Sequence, residues 1–341
     1  MAADALSDLL RTVRLTGATF FDVVAKEPWV VGSAPRDLIL PKVLPDADHL
    51  IAYHVVTEGR AFATIVGGEA ITVEAGEVVV FTHGDPHIMS SGPGMRPAPT
   101  APDALDAIMS GQMPFRLNCG GDGTPSSKFV CGFLACDARP FNPLLENLPP
   151  VIKAGNPQDG DGGWLGQFIR VAVAESAEKR AGGEGVLAKL SELMFIEVVR
   201  RHLEALPPEQ AGWLAGLRDP FVGRALSLMH GKPGHNWTLE ELAKQTGLSR
   251  SVLAERFTDL LGIPPMHYLA QWRMQIASEL LAGGNGNVAR IAAEIGYESE
   301  AAFSRAFKKL MGVPPSAWRR RARPESARLA SKNPRDPRSL S

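Results

Sequence analysis

The chain repeats itself near its C-terminal end, and this repeat constrains the fold more than any other feature. Leu242-Ala243, followed by Gly247, recurs as Ile291-Ala292, followed by Gly296, at an offset of 49 residues. Ser249, Phe257, Leu260 and Gly262-Ile263-Pro264-Pro265 recur as Ser299, Phe307, Leu310 and Gly312-Val313-Pro314-Pro315 at an offset of 50. One inserted residue in the turn accounts for the difference. Duplication on this scale predicts one supersecondary unit used twice.

Each copy reads as helix, tight turn, helix. In the first, Thr238 is placed to cap a helix that turns Leu239, Leu242 and Ala243 inward, with Glu240 and Glu241 in its first turn. Gly247 ends that helix and Ser249 caps the next. The second helix directs Leu253, Phe257, Leu260 and Leu261 to the core and leaves Ser251, Ala254, Glu255 and Thr258 on the opposite stripe. In the second copy Phe303, Phe307, Leu310 and Met311 face inward, while Ala301, Ser304, Arg305 and Lys308 face outward. A helix turned this way can lay its outer stripe in a DNA major groove. Between the copies, Leu269, Trp272, Ile276 and Leu280 predict a connecting helix ended by Gly283-Gly284. Such a spacer sets two recognition helices about one DNA turn apart.

A solvated helical bundle has the same periodicity, so charge is needed to choose between the readings. Residues 221–341 carry 18 Lys and Arg against 10 Asp and Glu, a net of +8, although the whole chain nets −1. Residues 1–220 carry the compensating net of −9. The basic half is the one that meets a polyanion.

This region resembles the AraC/XylS family of bacterial transcription regulators. The likeness rests on Trp237-Thr-Leu-Glu-Glu-Leu-Ala243, Gly247-Leu-Ser-Arg-Ser251, Tyr268-Leu-Ala-Gln-Trp-Arg-Met274, the run from Ile295 to Phe307, and Gly312-Val-Pro-Pro315. The resemblance implies base-facing positions at Arg250, Ser251, Ala254 and Glu255, then at Glu300, Ala301, Ser304 and Arg305. Ala254 and Ala301 offer only a thymine-methyl contact, and Glu255 would accept from cytosine N4. Arg305 is expected to read guanine, with Lys308 and Lys309 on phosphate. The implied partners are double-stranded promoter DNA, RNA polymerase, a small-molecule effector and a second copy of the chain.

The first 150 residues read as strands. Ala61–Val66, Ala70–Val73, Val78–Phe81 and Lys128–Leu134 are short apolar runs, with turns at Gly67-Gly68 and Ala75-Gly76. Residues 90–127 are rich in Pro, Gly and Ser and predict a long loop holding a short helix. Gly76, five residues, then Thr82-His83-Gly84-Asp85-Pro86-His87 resembles the second cupin motif, with Thr82 where proline is usual. His54-Val-Val-Thr-Glu-Gly59 stands where the first motif belongs, with Val56 replacing its second histidine. The resemblance implies a small β-barrel that can hold a metal. His54, His83, His87 and Cys131 supply the ligand types that zinc or another divalent metal takes; internal hydrogen bonding is the alternative use of the same residues. Cys131 alternates with Phe129 and Phe133 and is expected to point inward with them.

From Trp164 the period turns helical. Leu165, Phe168, Ile169 and Ala172 mark one helix, and Leu187, Leu190, Met194 and Val198 mark a second that reaches Ala205 before Leu206-Pro207-Pro208 stops it. Its apolar stripe is a candidate dimerisation face, with packing against the barrel as the other use.

The expected architecture is α+β and multidomain. A cupin-like effector-sensing barrel spans 1–160, a helical linker or dimerisation segment 161–220, an all-α double helix-turn-helix domain 221–322, and a disordered tail 323–341. The expected function is ligand-responsive transcription regulation without catalysis. A cupin-type metalloenzyme with a DNA-binding domain needs an intact metal set, and a DNA-repair methyltransferase needs a tight reactive cysteine cluster. Val56 and the wide spacing of Cys119, Cys131 and Cys136 speak against both. Asp4 and Asp8 stand where a secretory signal needs basic residues, and no apolar run is long enough to span a bilayer, so the cytoplasm is the expected compartment.

Overall fold

A computed structural model describes residues 5–12, 15–43, 47, 49–98, 115–136, 141–155, 163–178, 180–207, 212–284 and 286–322. The tail over 323–341 and the helix expected inside the 90–127 loop fall on or largely on residues outside that set. Two compact units are present. One is drawn from residues 13–138 and 144–209, the other from 1–12, 139–143 and 210–341. The start of the chain therefore belongs with its C-terminal unit, and the boundaries depart from the simple succession of domains read from the sequence.

Among the described residues the first unit has nine strands: β1 (Thr16–Lys26), β2 (Val30–Gly32), β3 (His49–Ile65), β4 (Ile71–Glu74), β5 (Val78–Phe81), β6 (His87–Ser90), β7 (Phe115–Gly120), β8 (Pro125–Cys136) and β9 (Val151–Ala154). β3 is the spine. Its first half pairs with β5 and β8, in register Ala52↔Phe81 and His54↔Cys131, and its second half pairs with β4 and β6. A bulge between Val56 and Glu58 interrupts the pairing with β8, which runs on to Gly59. At Gly59 φ is 74° and a Cβ would stand 2.0 Å from the Ser126 carbonyl oxygen, so only glycine passes this point. β1 lies between β8 and β7, antiparallel to the first and parallel to the second. The barrel core gathers Phe21, Val23, Trp29, Val56, Phe81 and Phe129.

The expected run Ala61–Val66 is the end of the longer β3, and the expected 90–127 loop contains β7 and the start of β8. Helices Trp164–Glu178 and Gly183–Ala205 appear where the periodicity puts them. The stripe considered for dimerisation faces inward within this unit. Leu187, Met194 and Val198 are at most 2% exposed, and the helix lies along β1. From β1 the Gly17 N–H donates to Glu192 Oε1 at 3.2 Å, and Tyr53 Oη on β3 stands 2.6 Å from Ser191 Oγ. The outward apolar residues are instead Val186 and Leu193.

The second unit is helical. Helix Ala5–Thr12 buries Ala5, Leu6 and Leu9 and packs on helix Val222–Gly231. A buried polar chain ties the two. Trp213 Nε1–H donates to Tyr268 Oη at 2.8 Å, Tyr268 Oη lies 2.8 Å from His230 Nε2, and His230 Nδ1 lies 3.3 Å from the Ala5 carbonyl. The arrangement closes if Tyr268 donates to Nε2 and Nδ1–H donates to Ala5. Burial pushes the His230 pKa down to about 3, in keeping with a neutral ring.

Candidate nucleic-acid interface and ligand cavity

The two helix-turn-helix copies form as the repeat predicts. Thr238 Oγ1 accepts from Glu241 N–H ahead of helix Leu239–Thr246, and Ser249 Oγ accepts from Val252 N–H ahead of helix Arg250–Leu261. In the second copy Asn287 caps helix Val288–Glu294 through Arg290 N–H, and Ser299 caps helix Glu300–Met311 through Ala302 N–H. The turn glycines differ in what requires them. Gly247 needs only its φ of 79°, whereas a Cβ on Gly296 would meet the Gly234 carbonyl oxygen at 2.6 Å.

Leu253, Phe257, Phe303 and Phe307 are fully buried and seat the second helix of each copy. Leu310, expected beside them, is 40% exposed, while its neighbour Met311 packs on the core. The opposite stripes face solvent. Arg250, Ser251 and Glu255 are exposed and Ala254 half-buried; Glu300, Ala301, Arg305, Lys308 and Lys309 are exposed and Ser304 half-buried. Among the described residues Arg250, Arg305, Lys308 and Lys309 make no ion pair, so their charge is open to a polyanion.

Arg256, which the sequence reading passed over, points the other way. Its guanidinium pairs with Asp219, with Nε at 2.8 Å from Oδ2, and lies over the Phe221 ring. Asp219 Oδ1 also accepts from Phe221 N–H and Val222 N–H at the start of helix Val222–Gly231. Burial alone would raise the Asp219 pKa, but the Arg256 and backbone donors hold it below the usual carboxylate value. This pair ties the first recognition helix to the segment before it.

The barrel holds a cavity of about 320 Å³. Phe21, Val31, Ile39, Met89, Phe129 and Phe133 form much of its wall, and His54 and His87 are its imidazoles. Their Nε2 atoms are 2.8 Å apart, and His87 Nδ1 is 2.9 Å from the Asp85 carbonyl. His87 also stacks on Phe81 at 3.7 Å. Burial lowers both imidazole pKa values, that of His87 to about 4.

The expected metal set is not assembled. His83 turns to the Leu145 carbonyl at 2.9 Å and stands beside His49, not beside the His54–His87 pair. Val56, at the place of the motif's missing histidine, is fully buried in the apolar core. Cys131 lines the cavity as expected, but burial raises its thiol pKa and opposes the thiolate a metal takes. Among the described residues no three His, Cys, Asp or Glu could hold a metal. The two histidines share a hydrogen bond instead, the use that spacing alone left open.

The family model described as Cupin matches residues 4–204, and that of the Helix-turn-helix domain matches residues 242–321. An AraC-like transcription regulator of Streptomyces lividans is 30% identical over 319 residues, covering 93% of this chain and 98% of that protein. The HTH-type transcriptional regulator AlkR of Acinetobacter baylyi is 26% identical, covering 94% of this chain and 100% of its own length. The transcriptional activator RclR of Escherichia coli is 27% identical, with coverage of 94% and 98%. Among the described residues no helix is long and apolar enough to cross a membrane. With its cupin-type N-terminal region and duplicated helix-turn-helix, the chain belongs to the AraC-like family of DNA-binding transcription regulators.

Proposed function

We propose that helices Arg250–Leu261 and Glu300–Met311 read successive major-groove segments of promoter DNA, and that a small effector in the barrel cavity controls that binding or the activation that follows. The observation that supports this most is the pair of capped helices whose outward cations have no ion-pair partner among the described residues. Arg250, Ser251, Ala254 and Glu255 form the reading stripe of the first helix, and Glu300, Ala301, Ser304 and Arg305 that of the second. Lys308 and Lys309 hold phosphate. Two copies of the chain pair through the outward face carrying Val186 and Leu193, and the DNA-bound pair acts on RNA polymerase. An effector shifts this system only by binding one arrangement more tightly than another.

The test is fluorescence anisotropy with DNA fragments retained by the purified chain. Log affinity should fall linearly with log salt, as counterion release requires. A chain ending at residue 209 that kept specific binding would refute the assignment.

A further inference from the structure

The cavity wall restricts the chemistry of its occupant. Among its described lining residues there is no Lys, Arg, Asp or Glu. On the described wall a carboxylate finds no fixed cation and an ammonium finds no anion. Either ion would give up part of its hydration there without a compensating charge.

Hydrogen bonding then orders the protons on the two imidazoles. The Asp85 carbonyl can only accept, so the proton facing it sits on His87 Nδ1. A neutral His87 keeps a bare Nε2, which accepts from His54 Nε2–H at 2.8 Å. That leaves His54 with a bare Nδ1, a buried acceptor with no partner among the described residues. A buried acceptor in this state is costly to leave unmet. A donor from the occupant satisfies it once the ring tilts to bring Nδ1 to the cavity wall.

We propose that the cavity selects an uncharged, mainly apolar small molecule carrying one hydrogen-bond donor, a hydroxyl being the simplest, directed at His54. The proposal rests on the reading of this cavity as the effector site. Four probes of matched chain separate its parts: 1-octanol, methyl octyl ether, octanoate and octylammonium, titrated calorimetrically into the full-length protein at pH 8. 1-Octanol should bind at least tenfold more tightly than either ion and several-fold more tightly than the ether, which lacks the donor. His54→Phe should bring 1-octanol down to the affinity of the ether. Octanoate or octylammonium binding as tightly as 1-octanol overturns the uncharged class. Equal binding of ether and alcohol to the wild-type chain overturns the donor, and that comparison needs no variant. If none of the probes binds, or if the cavity-filling Leu117→Trp leaves 1-octanol binding intact, the cavity is not the effector site and the underlying reading fails.

Discussion

Gly17 on β1 touches the backbone of Ala188 so closely that a Cβ placed there would stand 2.3 Å from the Ala188 carbonyl oxygen. The contact fixes helix Gly183–Ala205 to the barrel, with Met194 buried beneath it and Leu193 55% exposed. Gly17→Val should cost about 1–3 kcal/mol through overpacking, and Met194→Asp should cost about 3 kcal/mol or more by burying an unpaired charge. Leu193→Asp should leave stability within about 0.5 kcal/mol, as exposed substitutions do, yet abolish self-association. Urea unfolding and sedimentation velocity on the three variants separate these effects. A dimer that survives Leu193→Asp would move the pairing surface elsewhere.

His230 makes the DNA-binding unit acid-sensitive. Its folded pKa of about 3 lies below the ordinary value of 6.5. The unfolded chain therefore binds the proton first, and stability falls as pH drops below about 6.5 toward the folded pKa. The slope approaches about 1.4 kcal/mol per pH unit, so about 2 kcal/mol is lost by pH 5. His230→Phe lowers absolute stability by breaking the Tyr268 contact, but should remove this part of the slope. Unfolding midpoints at pH 7.5 and pH 5 give the comparison. An unchanged slope in the variant would show that His230 is not the group responsible.

Asp219 serves two structures at once, the Arg256 side chain and the first N–H groups of helix Val222–Gly231. Asp219→Ala should cost about 1–2 kcal/mol, the size of a lost helix cap. It should also weaken DNA binding while leaving the order of preference among sequences unchanged, since Arg256 seats the reading helix without being in its outward stripe. Competition binding over a panel of single-base operator variants measures this. A reordered panel would mean that Arg256 contacts bases itself.

Arg305 and Lys309 should behave differently although both are exposed cations on one helix. Arg305→Ala should relax discrimination at one or two base pairs by about 1–3 kcal/mol, the worth of a bidentate guanine contact. Lys309→Ala should weaken all sequences alike and shallow the salt dependence by about one charge. Uniform weakening by both would remove Arg305 from base readout.

The C-terminal unit was legible because its signals are local. Caps at Ser249 and Ser299 and left-handed helix ends at Gly262 and Gly312 act within a few residues of chain, and buried Phe257 and Phe307 recur with them. The barrel was less legible. β1 has Phe20-Phe21 and Val23-Val24 in adjacent pairs, so no alternation separates its faces, and β7 lies just beyond a Pro- and Gly-rich stretch. The amphipathic stripe of Leu187, Met194 and Val198 announced a buried face, but periodicity does not say whether the partner is the same chain or another. The histidine set failed for a related reason. His83 lies in the turn ahead of β6 and His87 begins the strand, a distinction that side-chain types and spacing do not carry. Helix Ala5–Thr12 gave no sign that it belongs with residues more than 200 positions away.

The central claim is that both helix-turn-helix copies read DNA. It is tested most directly by methylation-interference footprinting of the full-length chain on a recovered operator. Two major-groove segments per half-site, about 10 base pairs apart, are expected. Arg305→Ala should lose guanine interference in one segment and keep the other. A single protected segment per half-site, unchanged by Arg305→Ala, would contradict it.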